Sequence, residues 1–179
     1  AHPSLLRIWS LPQAAFVQAV AAHRVVWAWL NAGFVLASAA TTAGLLVLAS
    51  SMSEHAESAM VLASATAYGI AAVLWCAVLA IRTRTTPLLG DLGPVVLDSP
   101  QARLLEAATT ALFQAFVLIT AVALAALGAT LAFTGTAPAW TAAVLLLTGA
   151  AAMGGLLRPG DVIPAVLYLP TMLLGLTLV

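Results

Sequence analysis

Four polar residues in one stretch are spaced for a shared surface. Arg103, Glu106, Thr110 and Gln114 follow one another at steps of three, four and four, which puts them on one face of a helix. From Glu106 to Gln114 that face climbs about 12 Å at 1.5 Å per residue. A glutamine in apolar surroundings is costly unless it meets a partner or a wet cavity. Matching polar positions recur elsewhere: Arg24, Asn31 and Ser38 at steps of seven, then Thr42; Ser64, Tyr68 and Cys76 at multiples of four; and Tyr168 with Thr171 and Gly175.

The chemistry such residues allow is a cavity lined by Asn31, Tyr68, Gln114 and Tyr168, with Arg103 and Glu106 at its mouth. Glu106 or Asp91 would serve as acid or base, and Arg103 would orient them or hold a phosphate. The plainer expectation is that these side chains knit helices together, each hydrogen bond contributing about 0.6–2 kcal/mol. Small-xxx-small pairs at Ala150/Gly154 and Ala151/Gly155 suit close backbone approach. Arg82 and Arg84 are suited to a lipid phosphate, since guanidinium pairs with phosphate through two hydrogen bonds. They serve equally as charges that set orientation.

Other chemistry is absent from the sequence. Glu54, His55 and Glu57 are the one cluster of metal-type ligands, and His55 is not three or four residues from either acid, so no metal site is expected. His2 and His23 are isolated. Cys76 is the single cysteine and has no partner for a disulfide. There is no glycine-rich phosphate loop, no HExxH, no nucleophile elbow and no cofactor motif. Nor does an acid or base stand near the middle of an apolar stretch, as proton-coupled transporters usually require. The formal net charge is zero, which removes any general attraction to nucleic acid.

The elements that must position these residues follow from composition. Of 179 residues, 63% are hydrophobic and only 7% charged, with a mean hydropathy of +1.10. A soluble chain is usually about a quarter charged. Six arginines and six acids cannot clothe a water-facing surface. The expected fold is therefore all-α, a helical bundle embedded in a membrane as one domain.

Crossing about 30 Å of hydrocarbon takes about 20 apolar residues. The charge-free stretches predict five spans near 25–50, 58–81, 107–133, 138–157 and 162–179, joined by a long connection over 82–106. Turn chemistry at Thr134-Gly135-Thr136-Ala137-Pro138 divides the third from the fourth. The fifth is short and carries Pro164 and Pro170, the second of which should kink it; a half-inserted segment is the alternative. Ser99 is suited to cap a helix with Pro100 at its first position.

Residues 1–24 do not read as a signal peptide, because Arg7, Gln13, Gln18 and Arg24 interrupt them. Pro12 suits a helix start, Phe16, Val17 and Val20 then share a face, and Leu5, Leu6, Ile8 and Trp9 are apolar anchors. An interfacial helix is expected, or one that runs straight into the first span.

Under this assignment Arg7, Arg24, Arg82, Arg84, Arg103 and Arg158 all fall on one side, which the positive-inside rule makes cytoplasmic. The N-terminus is then inside and the C-terminus outside. Trp27, Trp29 and Trp75 fall toward the inner interface and Trp140 at the outer one. In texture the chain is similar to small polytopic proteins of bacterial inner membranes, and no motif narrows that to a family. The leading expectation is a non-enzymatic subunit or accessory of a membrane assembly, with lipids and other subunits or further copies of itself as partners. The alternatives are a membrane-embedded enzyme or carrier for a lipid-like molecule, with its cavity open to the cytoplasmic leaflet, and a homo-oligomeric channel.

Overall fold

The computed structural model describes residues 11–52, 55–156 and 164–177. Six α-helices follow in order: α1 (Gln13–Ala22), α2 (Arg24–Ser51), α3 (His55–Leu92), α4 (Pro100–Thr134), α5 (Ala139–Leu156) and α6 (Pro164–Thr177), with a 3-10 turn at Pro94–Asp98 before α4. No strand occurs among the described residues. Four helices, α2 to α5, are long and apolar enough to cross a membrane.

The expected fifth span is the exception. α6 is described over 14 residues, about 21 Å of helix, and the rest of the expected stretch lies outside the described residues. Residues 162–163, 178 and 179 lie outside the described residues, as do Leu5, Leu6, Arg7, Ile8, Trp9, Glu54 and Arg158.

The long helices run alternately up and down, each beside its predecessor, and α6 packs on α5 and returns to α2. All four described arginines, Arg24, Arg82, Arg84 and Arg103, fall at one end of the bundle. Here this is the arginine end. α4 lies at the centre and is the most buried of the four long helices, and α2 is the least.

The connection 82–106 is mostly helix. α3 runs on through Arg82 to Leu92, with Pro87 inside it. Proline removes one backbone donor and usually ends a helix in water. Here tertiary contacts hold the segment. The Trp27 indole Nε1 donates to the Arg82 carbonyl (3.2 Å), and the Asn31 amide donates to Thr83 Oγ1 (2.8 Å). Gly93, at φ 85, turns the chain out of α3; residues with a Cβ rarely adopt that angle. Ser99 then caps α4 as expected, its Oγ accepting from Ala102 N–H (3.2 Å), with Pro100 in the first turn. At the other end of α4, Gly135 is left-handed and its N–H bonds the Leu131 carbonyl (3.1 Å), the usual way to close a helix.

α1 does not run straight into α2. The backbone breaks at His23 (φ −126, ψ 36), and α1 lies against α3. Val17 and Val20 are buried there. The contact is tight, because a Cβ at Gly90 would collide with the Val17 carbonyl.

The core is aromatic. Trp75 stacks on Phe116 (5.1 Å, 15°) and meets Phe113 and the edge of Phe34. Phe34 stacks on Tyr168 (6.1 Å). Trp75 is therefore an interior residue of the bundle, 2% exposed. Among the described residues, Trp29 and Trp140 are the tryptophans that face outward.

The α4–α5 seam rests on two glycines. A Cβ on Gly128 would come 2.9 Å from the Ala142 carbonyl oxygen, and one on Gly149 would come 2.7 Å from that of Ala121. The small-residue pairs expected to pack, Ala150/Gly154 and Ala151/Gly155, do not form this seam: Ala150, Ala151 and Gly154 are exposed and Gly155 is half-buried. α5 is small or apolar nearly all round, so several small-xxx-small frames compete and its sequence does not mark the packed one.

Candidate functional site: a cleft at the arginine end

α3 and α4 outlast the other helices. Residues 82–92 extend α3 by about 16 Å beyond the apolar run that ends at Ile81. α4 begins some seven residues before its own apolar run. Their projecting ends, with α1 and the 3-10 turn, enclose a cleft of about 300 Å³. It is lined by Leu11, Gln13, Phe16 and Val17 from the α1 side, Arg82, Thr85, Thr86 and Leu89 from α3, Leu97 from the turn, and Ala102, Leu105, Glu106 and Thr109 from α4.

The cleft is amphipathic. Leucines, Phe16 and Val17 make one kind of wall, and a cation, an anion, an amide and three hydroxyls make the other. Gln13 Nε2 donates to Glu106 Oε2 (3.2 Å) and ties α1 to α4 across it. Thr85 donates to the Ile81 carbonyl (2.9 Å), and Thr109 to those of Leu105 and Glu106 (2.9 and 3.0 Å). Thr86, 6% exposed, has no hydrogen-bond partner among the described residues.

No family model, curated protein or solved structure matches the chain. The site must be read from its own geometry.

Of the residues singled out in the sequence, the structure brings Arg82 and Glu106 into this cleft. Asp91 is elsewhere: its carboxylate takes two bonds from Arg24 Nη2 (3.0 and 3.2 Å), in an exposed pair that pins α2 to α3. Arg103 pairs with Asp98 (3.2 Å), also exposed, and does not line the cleft. Arg84 faces outward.

The expected cavity of Asn31, Tyr68, Gln114 and Tyr168 does not assemble as a set. Asn31, Tyr68 and Tyr168 are buried at 3%, 2% and 6% exposure, and they hold helices together. Ser38 Oγ and the Tyr168 hydroxyl share a hydrogen bond (2.7 Å) between α2 and α6. Asn31 bonds Thr83, and Tyr68 is packed into the apolar core. Gln114 is on the outside of α4 with Thr110. The spacing does place Arg103, Glu106, Thr110 and Gln114 on a common face, of which Glu106 borders the cleft while Arg103, Thr110 and Gln114 are exposed. No cluster of three or more metal-type ligands forms among the described residues; Glu54 and the side chain of His55 lie outside them.

Gln13, Thr85, Thr86 and Thr109 were not singled out from the sequence. A signal for part of this set exists. Arg82, Thr86 and Leu89 are spaced four and three, a helical face that shows only if α3 is carried through Pro87.

Proposed function

We propose that this is a multi-pass protein of a bacterial-type cytoplasmic membrane, with its N-terminus and arginine end inside, that holds the polar end of a lipid-like molecule in the cleft. The carrying observation is the cleft itself: Arg82 and Glu106 stand beside an apolar wall where apolar helices end. An amphiphile needs that pairing of polar and apolar surface at that depth. The gathering of Arg24, Arg82, Arg84 and Arg103 at one end supports the orientation. A volume of about 300 Å³ is at the small end for a ligand pocket and suits a head group, with the chains lying outside along the apolar surface. Arg82 lines the cleft, and guanidinium is a group that pairs with phosphate.

Native mass spectrometry of the gently extracted protein tests this directly, with a bound amphiphile as the expected result. Arg82→Gln should weaken that binding about tenfold, the usual scale of a lost charged hydrogen bond. A wild-type protein that carries no amphiphile, or a variant that binds unchanged, rules the reading out.

One observation favours a second role, as a subunit of a membrane assembly. Gln114 lies within the apolar run of α4, faces outward and has no hydrogen-bond partner among the described residues. Ala107 and Ala111 are exposed near it on the same helix, and would let a partner helix approach closely. A polar side chain on that partner would satisfy the amide, contributing about 0.6–2 kcal/mol. Gln114→Leu should then release the co-purifying partner or dissociate an oligomer, while the isolated chain keeps its stability within about 0.5 kcal/mol. Unchanged association counts against this role.

A further inference from the structure

We infer that the partner seated on the outer face of α4 is a second copy of this chain, held in parallel across a two-fold axis along the membrane normal. This rests on the assembly role read from Gln114 and names the partner.

Thr66 shows how an outward polar group is otherwise settled. It faces away from α3 and donates to the Leu62 carbonyl one turn back (2.8 Å). The amide of Gln114 carries two donors and a carbonyl acceptor, and none of these is met among the described residues. Lipid tails offer it no hydrogen bond. A copy of the same chain does. All four described arginines lie at one end, so copies inserted under the positive-inside rule run the same way. Their Gln114 side chains then stand at one depth. Across a two-fold axis each amide donates to the carbonyl oxygen of the other, an isologous contact. A single polar residue in such a seam fixes register and partner number in parallel helix pairs.

The rest of the face fits the same pairing. Arg103, Ala107, Ala111, Gln114, Leu118 and Val122 are all exposed and follow at steps of four, four, three, four and four. Steps mostly of four make the line drift round α4 in the sense of a right-handed crossing. Ala107 and Ala111 let the two backbones approach closely beside Gln114. Charge is complementary too. Arg103 and Asp98 form an exposed pair (3.2 Å) at the arginine end of this line, in which the guanidinium uses one of its five N–H donors. The two-fold axis sets the arginine of each copy against the aspartate of the other, so opposite charges meet in both directions.

Cysteine cross-linking of the full chain in native membranes tests this. The half-buried Cys76 is first replaced by Ala. Ala111→Cys in that background, treated with a short bis-maleimide, should give a product of twice the chain's mass that contains no other protein. Val73→Cys, on the outward side of α3 and 70% exposed, reports chance encounters and should cross-link far less. Gln114→Leu should weaken dimerisation of the purified protein about three- to thirtyfold, read by native mass spectrometry on dilution in detergent. Equal membrane yield of the variants reports that they fold. A product that joins the chain to a different protein overturns the second copy and leaves the assembly role standing. A ladder of three or more copies overturns the two-fold axis alone. Cross-linking from Ala111→Cys no greater than from Val73→Cys, or dimerisation unchanged by Gln114→Leu, overturns the inference together with the assembly role.

Discussion

Trp75→Ala lowers the stability of the bundle by roughly 2–3 kcal/mol, because it opens a void on the order of 100 Å³ at about 24 cal/mol per Å³. The indole meets three rings, Phe113, Phe116 and Phe34, and Phe34 stacks in turn on Tyr168. Those rings come from α2, α4 and α6, so a single truncation loosens the packing of α3 on α2 and α4 and, through Phe34, that of α2 on α6. Under the proposed membrane location the cost falls below the 3–5 kcal/mol usual for Trp→Ala in water, because a chain unfolded within lipid still shelters its indole in an apolar solvent. The effect is read as the midpoint of an SDS titration followed by circular dichroism. A midpoint equal to wild type would mean that the rings do not pack as described. Trp29→Ala is the control. Trp29 faces outward, 75% exposed, and its loss should shift the midpoint little.

Gly149→Leu is the other large effect. The α5 backbone meets α4 so closely that even a Cβ would lie 2.7 Å from the Ala121 carbonyl and 3.2 Å from the Ala125 Cβ. The first obstacle is backbone in the middle of a long helix and cannot turn aside. Overpacking usually costs about 1–3 kcal/mol, and a branched side chain against a rigid carbonyl belongs at the top of that range or beyond it. The expected outcome is an α5 detached from α4, seen as a sharp fall in folded yield and as faster proteolysis of the 134–138 turn. Gly154→Leu, two residues from the described end of the same helix, meets open space and should fold normally. If the two variants behave alike, the α4–α5 seam is not where the structure places it.

The two changes illustrate unequal legibility. Trp75 was visible in the sequence as a large residue near an arginine, and position alone suggested a membrane interface. Its real environment depends on which side of α3 meets α4, and α3 is apolar on nearly every side. Gly149 shares its helix with Gly154, and only contact distances separate the one that packs from the one that meets open space. Pro87 obscured the cleft in the same way. A proline after Arg-Thr-Arg-Thr-Thr reads as a loop, and the helix persists because Trp27 and Asn31 of α2 grip the residues just before it.

By itself the sequence determined what is local or compositional. Charge scarcity made the chain a set of long apolar helices, four of them long and apolar enough to cross a membrane. Ser99 and Gly135 placed the ends of α4, because capping depends on a few neighbouring backbone groups. The arginine positions determined that one end of the bundle would be basic. The tertiary structure alone decided which way each helix turns. The stripe from Arg103 to Gln114 has the spacing of one face whether that face points in or out. Rotation about the axis is set by packing against neighbours far along the chain, and when every side of a helix is apolar, the sequence holds no preference strong enough to choose.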